Sequence, residues 1–222
     1  MPINKNVYIM YDTETGSRNP TTTQAIQIAA IAIDPRNLTI IPDSEFESLI
    51  RPELNELKQK ELGIDNIEQG ALDVNGKTLE MLADAPAEKT VWQSFTQYCM
   101  GYNTTGKKWD APILTGFNNL GFDNIILNRM AKKYGPYESE RDHCSLFHPI
   151  WKMDVMQLIF PLFESNYEVR SLSMDNLRDY FGMSKENAHD ALQDVKDQAE
   201  IFCAIMKANR KLSKVITWKK PE

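Results

Sequence analysis

The chain has 222 residues, of which 42% are hydrophobic and 25% charged, a composition typical of a globular domain and unlike collagen or a disordered chain. No apolar run approaches the roughly 20 residues of a membrane span, and the polar start of the chain is unlike a signal peptide. Three widely spaced cysteines argue against a disulfide framework. We therefore expect a cytoplasmic protein built as one domain over residues 1–222, without a membrane partner.

The net charge is unevenly distributed along the chain. The formal net charge is −6, but residues 207–222 hold six basic residues against one acidic residue, which leaves about −11 for the other 206 residues. An acidic body is unusual for a protein that binds nucleic acid, because affinity usually rests on Lys and Arg at phosphates. Bound divalent cations can reverse the sign locally. The basic tail, at about 207–222, is either a solvated helix end or a surface for nucleic acid or a protein partner.

The first half of the chain predicts strands followed by a segment rich in turns. Apolar runs at 7–11 and 25–33, with a third strand that begins at 38–41 and resumes at 45–50, predict an antiparallel meander. Residues 53–90 contain many turn residues, and one short capped helix is predicted within them at 78–82.

The second half of the chain predicts helices around one further strand. The pattern indicates a helix ending near Cys99, a fourth strand at 112–116, and a helix over 122–134. The pattern also predicts a helix at 153–160 that ends before Pro161, a helix at 174–181, and a long helix at about 188–209. Strands first and helices later predict an α/β fold with a sheet of mixed direction.

Two carboxylates lie together at the end of the first strand. Asp12 and Glu14 are two residues apart, so both side chains point to the same face of the strand. They repel each other unless a cation lies between them, and Mg²⁺ or Mn²⁺ prefer such oxygen ligands. Exposed acidic pairs are also common in turns, so this pair alone is a weak signal.

Two later segments carry the other candidate residues. Asp123 follows the fourth strand and opens a helix, where a carboxylate is also a common cap. His189 and Asp194 lie at the start of the last helix, and five residues turn a helix by about 140°. The two can flank one site if His189 lies on the loop that enters the helix. Each segment alone has an ordinary structural explanation.

Together the three segments resemble the motifs of the DEDDh, or DnaQ-like, exonucleases of the ribonuclease H-like fold. Asp-x-Glu, Asn-x-x-x-Phe-Asp and His-x₄-Asp agree with that family in order and spacing. The nuclease domain of exodeoxyribonuclease I is especially similar: residues 116–123 resemble its Gly-Tyr-Asn-Asn-x-x-Phe-Asp, and residues 187–195 resemble its last motif. Thr13 departs from the Tyr of that family. The resemblance covers roughly residues 6–209 and implies a mixed five-stranded sheet, with a three-strand meander plus parallel strands, flanked by helices.

The resemblance also implies hydrolysis with two Mg²⁺ or Mn²⁺ ions. Asp12 would bridge both ions, while Glu14 and Asp194 would hold the ion that activates the attacking water. Asp123 would hold the ion at the leaving oxygen. His189 is the expected general base, because its free pKa lies near working pH.

Residues around the carboxylates are expected to receive the terminal nucleotide. They are Thr13, Thr15, Gly16, Asn118, Asn119, Thr78, Met81 and Leu82. The first three would allow close approach of the nucleotide, and the two asparagines would orient the second motif or contact the substrate. The last three could wedge against the final base, although an ordinary helix core is the slightly favoured interpretation of Met81 and Leu82. Trp92, Trp109 and Trp151 could stack on bases, but the sequence does not place them near the carboxylates.

The expected activity is digestion of single-stranded DNA from a free 3′ end to nucleoside 5′-monophosphates. RNA-trimming enzymes of the oligoribonuclease or ribonuclease T type carry the same five residues, and the contacts to the 2′-OH that distinguish the sugars cannot be read from the sequence. A third hypothesis is a binding or proofreading module held on a polymerase partner by the basic tail. Exodeoxyribonuclease I continues into further domains that enclose its DNA, so we expect distributive digestion by this shorter chain.

Overall fold

A mixed β-sheet lies at the centre of the computed structural model, which describes residues 5–185 and 190–215. His189 and residues 216–222 of the basic tail therefore lie outside the described residues. The strands within these ranges are β1 (Tyr8–Thr15), β2 (Ala25–Asp34), β3 (Thr39–Ile40), β4 (Phe46–Leu49), β5 (Ile113–Gly116), β6 (Tyr137–Glu138), β7 (His143–Cys144) and β8 (Lys152–Asp154).

The order of strands in the sheet is β3-β2-β1-β5-β8, and β4 also pairs with β2. β1 and β2 are antiparallel, with Tyr8 opposite Ile33 and Thr15 opposite Ala25. β3 and β4 both run antiparallel to β2, so they form one interrupted third strand of the meander. β5 is parallel to β1, and β8 is parallel to β5. The predicted mixed sheet is confirmed, with six strand segments in place of the five expected strands.

The helices cover both faces of this sheet. They are α1 (Glu56–Leu62), α2 (Gln69–Val74), α3 (Leu79–Ala83), α4 (Glu88–Gly101), α5 (Asp123–Tyr134), α6 (Val155–Phe163), α7 (Met174–Phe181) and α8 (Ala191–Val215). The first two lie in the segment predicted to be mostly loop, and with 7 and 6 residues they are too short to show a helical period. Within the described ranges, no helix is long and apolar enough to cross a membrane.

The segment from 152 to 163 differs from the prediction at both ends. Residues 152–154 form β8 beside β5, and α6 begins only after Asp154, which caps it by accepting a hydrogen bond from the Met156 N–H. Pro161 lies inside α6 and not after it; its missing N–H costs the helix one bond, and the helix ends two residues later. By contrast, α7 begins after Ser173 and ends before Gly182 as predicted.

The two faces of β1 pack against different helices. Ile9 and Tyr11 lie in a core with side chains of α4 and α5. Tyr8 and Met10 lie in a second core with side chains of α6, α7 and α8. Because successive side chains alternate along a strand, positions 12 and 14 continue the face toward α8, and position 13 faces α5.

Candidate active site

The end of β1 and the start of α8 bring the first and last motifs together. Asp12 Oδ1 accepts a hydrogen bond from Nε2 of Gln198 on α8 at 3.0 Å. Asp194 lies one helical turn before Gln198, and its charge contributes to the raised pKa values of Asp12 and Glu14. These three carboxylates therefore share one region on the α8 side of the sheet.

Asp123 reaches the end of β1 from the opposite face. It is the first residue of α5 and is buried. Its Oδ1 accepts hydrogen bonds from the backbone N–H of Thr13 at 3.1 Å and from the Thr13 hydroxyl. The charge of Asp12 contributes to the raised pKa of Asp123, so the second motif adjoins the first. The Thr13 side chain holds Asp123 and is itself buried.

Three of the carboxylates, those of Asp12, Glu14 and Asp123, are electrostatically strained. Burial raises the pKa of Glu14 to about 9, and the charges of Asp12 and Asp194 add to this effect. Burial raises the pKa of Asp12 to about 6, and burial followed by the charge of Asp12 raises the pKa of Asp123 well above its usual value. Positive charge near these groups would relieve both burial and repulsion.

A divalent cation fits this set of donors. Carboxylate oxygens are the ligands preferred by Mg²⁺ and Mn²⁺, and a bound cation would offset their mutual repulsion. Among the described residues, no three ligand-type side chains are already grouped around one point. Asp123 is bonded to Thr13, and Asp194 Oδ1 lies 2.6 Å from the Arg178 Nη2. A cation would have to compete with these bonds.

Arg178 of α7 is a buried cation at this site that sequence reasoning missed. Its side chain is 1% exposed, and its Nε lies 2.7 Å from Asp197 Oδ2 while its Nη2 holds Asp194. Its charge also lowers the pKa of Asp12, against the larger effect of burial. Arginine on an amphipathic helix is usually exposed, so the sequence carried no signal for this role. In the fold, Arg178 fixes the carboxylate of Asp194.

Lys77 is a second cation that was not predicted. It precedes α3, its side chain is 9% exposed, and its Nζ lies 3.5 Å from Oδ2 of Asp190. Its charge lowers the pKa of Glu14, although burial dominates. Asp190 also accepts a hydrogen bond from the Gln193 N–H at 3.3 Å and follows His189 in the chain. Lys77 thus links the segment before α3 to the entrance of α8.

The segment between β5 and α5 is held by Asp154 of β8. Asp154 accepts hydrogen bonds from the N–H groups of Asn118 at 3.1 Å and Leu120 at 3.3 Å. Asn118 is exposed and has a φ of 53°, a left-handed conformation that Asn tolerates. Asn119 is completely buried, and a Cβ on Gly116 would meet its side chain at 2.8 Å. The prediction that Asn119 contacts the substrate is therefore not compatible with its burial, and its position suits a role in orienting the motif.

The other predicted substrate residues divide into buried and accessible ones. Leu82 is completely buried in a small core with residues of β2 and α2, which contradicts a wedge role for this side chain. Thr78 is exposed and caps α3, and Met81 is 48% exposed. A Cβ on Gly16 would collide with the Ile67 side chain, so an internal contact accounts for that glycine.

A pocket of about 350 Å³ is lined by the end of β1, by α2 and by the residue before α5. Its lining includes Thr15, Arg18, Val74, Asn75 and Phe122. The Thr15 carbonyl accepts a hydrogen bond from Asn75 Nδ2 at 3.0 Å, which joins the end of β1 to the end of α2. The lining residues Thr15 and Phe122 are the chain neighbours of Glu14 and Asp123, so the pocket is formed by two of the segments that carry the carboxylates.

Comparison with known proteins agrees with this geometry. The Exonuclease family (RNase_T) matches residues 9–202. Ribonuclease T of Haemophilus ducreyi is 22% identical over 199 residues, which cover 89% of this chain and 84% of that protein. Exonuclease I from Methylocaldum szegediense has a TM-score of 0.69 at 19% identity, covering 93% of this chain and 42% of that one. E. coli exonuclease I in complex with a dT13 oligonucleotide has a TM-score of 0.67 at 17% identity, covering 94% and 43%.

The chain thus spans less than half of those two exonuclease I chains. The family match extends from the first strand into the last helix and includes all three motifs. The resemblance drawn from those motifs is confirmed. The chain belongs to the Exonuclease family, and it is a nuclease and a hydrolase.

Proposed function

We propose that this chain is a 3′→5′ exonuclease that hydrolyses single-stranded DNA from a free 3′ end. The observation that carries the proposal is the approach of carboxylates from β1, α5 and α8 to one another, with burial and neighbouring charges raising the pKa values of Asp12, Glu14 and Asp123. Exonucleases of this family depend on divalent metal ions. Two such ions, held by Asp12, Glu14, Asp123 and Asp194, would supply Lewis acidity and lower the pKa of a bound water.

The residues around these carboxylates orient them before the substrate arrives. Gln198 holds Asp12, Thr13 holds Asp123, and Arg178 holds Asp194. Polar groups that are already oriented need little reorganisation during the reaction, which is a large part of electrostatic catalysis. We propose His189 as the general base that takes the proton of the attacking water.

The 350 Å³ pocket is the proposed site for the terminal nucleotide. Its volume lies within the usual range for small-molecule sites. Phe122 and Val74 offer apolar surface to the base, and Arg18 offers a charge to a phosphate. Met81 and Thr78, both exposed at the start of α3, are further proposed contacts of the substrate.

A second candidate substrate is RNA. The match to ribonuclease T of H. ducreyi covers 84% of that protein and favours RNA, whereas the likeness to E. coli exonuclease I bound to dT13 favours single-stranded DNA. Contacts to the 2′-OH decide between the two sugars. DNA is preferred here because the second motif, residues 116–123, is so similar to that of exodeoxyribonuclease I.

The test is a digestion of matched DNA and RNA oligomers carrying a 5′ label. With Mg²⁺ or Mn²⁺ the labelled DNA should shorten one nucleotide at a time from its 3′ end, and EDTA should stop the reaction. The Asp12→Asn variant is the control for a contaminating nuclease. Internal cuts, or full activity in EDTA, would contradict the proposal, and faster shortening of the RNA would select the second candidate.

A further inference from the structure

Three aromatic side chains form a cluster at the opposite end of the sheet from the carboxylates. The His148 ring stacks on Trp151 with centroids 4.7 Å apart and an interplanar angle of 11°. Trp109 meets His148 edge-on at 5.7 Å. The two tryptophans are 48% and 37% exposed, so each indole presents part of its surface to solvent. The cluster adjoins the starts of β5 and β8, whereas the second motif follows the end of β5.

This aromatic cluster is held in place by the backbone. His148 Nδ1 accepts hydrogen bonds from the N–H groups of Ile150 at 3.2 Å and Trp151 at 3.0 Å. The Trp109 carbonyl accepts a hydrogen bond from Asn6 Nδ2 at 2.9 Å. The His148 ring, on which Trp151 stacks, and the backbone of Trp109 are therefore positioned without a ligand, so binding would cost less side-chain ordering there.

Positive charges surround the same cluster in a chain whose body is acidic. Lys108 Nζ lies 5.6 Å from the centroid of the Trp109 ring, and the Arg141 guanidinium lies 5.7 Å from it. The nearby Asp110 is paired with Lys5 at 2.6 Å, and the Arg141 Nε is 3.6 Å from Glu138. Lysine is depleted in protein–protein interfaces, whereas exposed aromatic rings with Lys and Arg are the usual composition of surfaces for single-stranded nucleic acid.

We propose that this aromatic cluster is a second binding site for single-stranded nucleic acid. Unpaired bases stack on Trp109 and Trp151, and the phosphates pair with Lys108 and Arg141. The inference rests on the proposed function, because it assumes a single-stranded substrate whose 3′ end is at the carboxylates. It goes further in assigning the 5′ part of that strand to the aromatic cluster, at the other end of the sheet from the carboxylates.

The distance between the two sites sets a length requirement. Asn6, which is bonded to Trp109, precedes Asp12 by six residues along the chain, or about 20 Å at 3.3 Å per residue. A stacked strand covers this distance in about six nucleotides at a rise of 3.4 Å. A trinucleotide occupies only one site, whereas a 20-mer can reach both.

The test compares binding of 5′-fluorescein-labelled oligo-dT of 20 and 3 nucleotides by fluorescence anisotropy in EDTA, where no digestion occurs. Trp109→Ala should raise the Kd for the 20-mer about 10-fold, the equivalent of one lost base stack of about 1.4 kcal/mol. Lys108→Glu should also raise the 20-mer Kd and lower its salt dependence. Leu57→Ala and Lys60→Glu, two exposed positions on α1, are the matched controls and should leave the Kd unchanged.

Digestion of the trinucleotide in Mn²⁺ separates the second site from the nuclease activity. Both variants at the aromatic cluster should digest it with the kcat and KM of the wild type. An unchanged 20-mer Kd in both variants overturns the second site, as does an equal loss of affinity for the trinucleotide. A change in oligomeric state without a change in Kd also overturns it, in favour of a protein interface. Failure of the wild type to digest any oligomer contradicts the proposed function but leaves the anisotropy test of the second site intact.

Discussion

Replacing Glu14 with Gln should stabilise the cation-free protein while it abolishes digestion. Burial raises the pKa of Glu14 from 4.5 to about 9, with the charges of Asp12 and Asp194 adding to the shift. A carboxyl group with a raised folded-state pKa binds its proton more tightly in the folded protein than in the unfolded chain. The free energy of unfolding therefore falls as the pH rises through the window from 4.5 to about 9. Gln preserves the shape, carries no charge, and removes this dependence.

The magnitude follows from the size of the Glu14 shift. One pKa unit corresponds to about 1.4 kcal/mol. At pH 7.5, three units above the unfolded value, the wild-type carboxyl lowers the free energy of unfolding by about 4 kcal/mol. At pH 5.5 the same effect is only about 1.4 kcal/mol. The advantage of Glu14→Gln over the wild type should therefore grow by roughly 3 kcal/mol between these two pH values.

Urea unfolding in EDTA at pH 5.5 and 7.5 measures this difference. Glu61→Gln, at an exposed position of α1, controls for the general effect of removing a carboxylate. A stability difference that is the same at both pH values would refute the reasoning. Adding Mn²⁺ at pH 7.5 should raise the melting temperature of the wild type more than that of the variant, since only the wild type keeps all four carboxylates for the cation.

Three further predictions concern the base, the buried arginine and the mode of digestion. His189→Ala should lower turnover by about 10²–10⁴-fold, and Asp12→Ala should lower it at least as much. Activity near that of the wild type in His189→Ala would reassign the histidine to a structural role. Arg178→Lys keeps the charge but loses the fork between Asp194 and Asp197, so a higher Mn²⁺ concentration should be needed for half-maximal rate. Arg178→Met should lower the free energy of unfolding by about 3–5 kcal/mol because it removes the buried cation that pairs with these carboxylates. An unchanged Mn²⁺ titration in the lysine variant would contradict the positioning role. Digestion should be distributive, so an unlabelled trap strand should stop it almost at once. Each phosphate contact should contribute about 0.7 to the slope of the logarithm of the binding constant against the logarithm of the salt concentration. Long runs to completion in the presence of the trap strand would contradict distributive digestion.

Local signals were sufficient for much of the fold. Ser173 caps the start of α7 and Gly182 caps its end, as expected, because capping bonds join residues three or four positions apart. The alternation of a strand placed Asp12 and Glu14 on one face, and packing of that face toward α8 follows in the structure. The boundaries of α1, α2 and β8 were missed, since elements of two turns or three residues repeat no pattern often enough to be recognised.

The sequence singled out candidate residues for the site but not the contacts that orient them. The order and spacing of the motifs were enough to single out the four carboxylates. The partners that orient them come from other elements: Gln198 reaches Asp12 across 186 positions of sequence, and Arg178 reaches Asp194 from a separate helix. Such contacts exist only after the helices pack on the sheet, so no local pattern reports them.

What the sequence by itself determined was most of the longer strands and helices and, through its motifs, the family, because hydrophobic period, capping and motif spacing act over short distances. Only the tertiary structure decided which neighbours face substrate and which face the core. Asn118 is exposed and Asn119 completely buried; Met81 is half exposed and Leu82 completely buried. Trp109 and His148 meet because each adjoins one of two neighbouring parallel strands, β5 and β8. Pairing and packing between distant segments set these positions, and one residue of shift along a chain reverses the direction of a side chain.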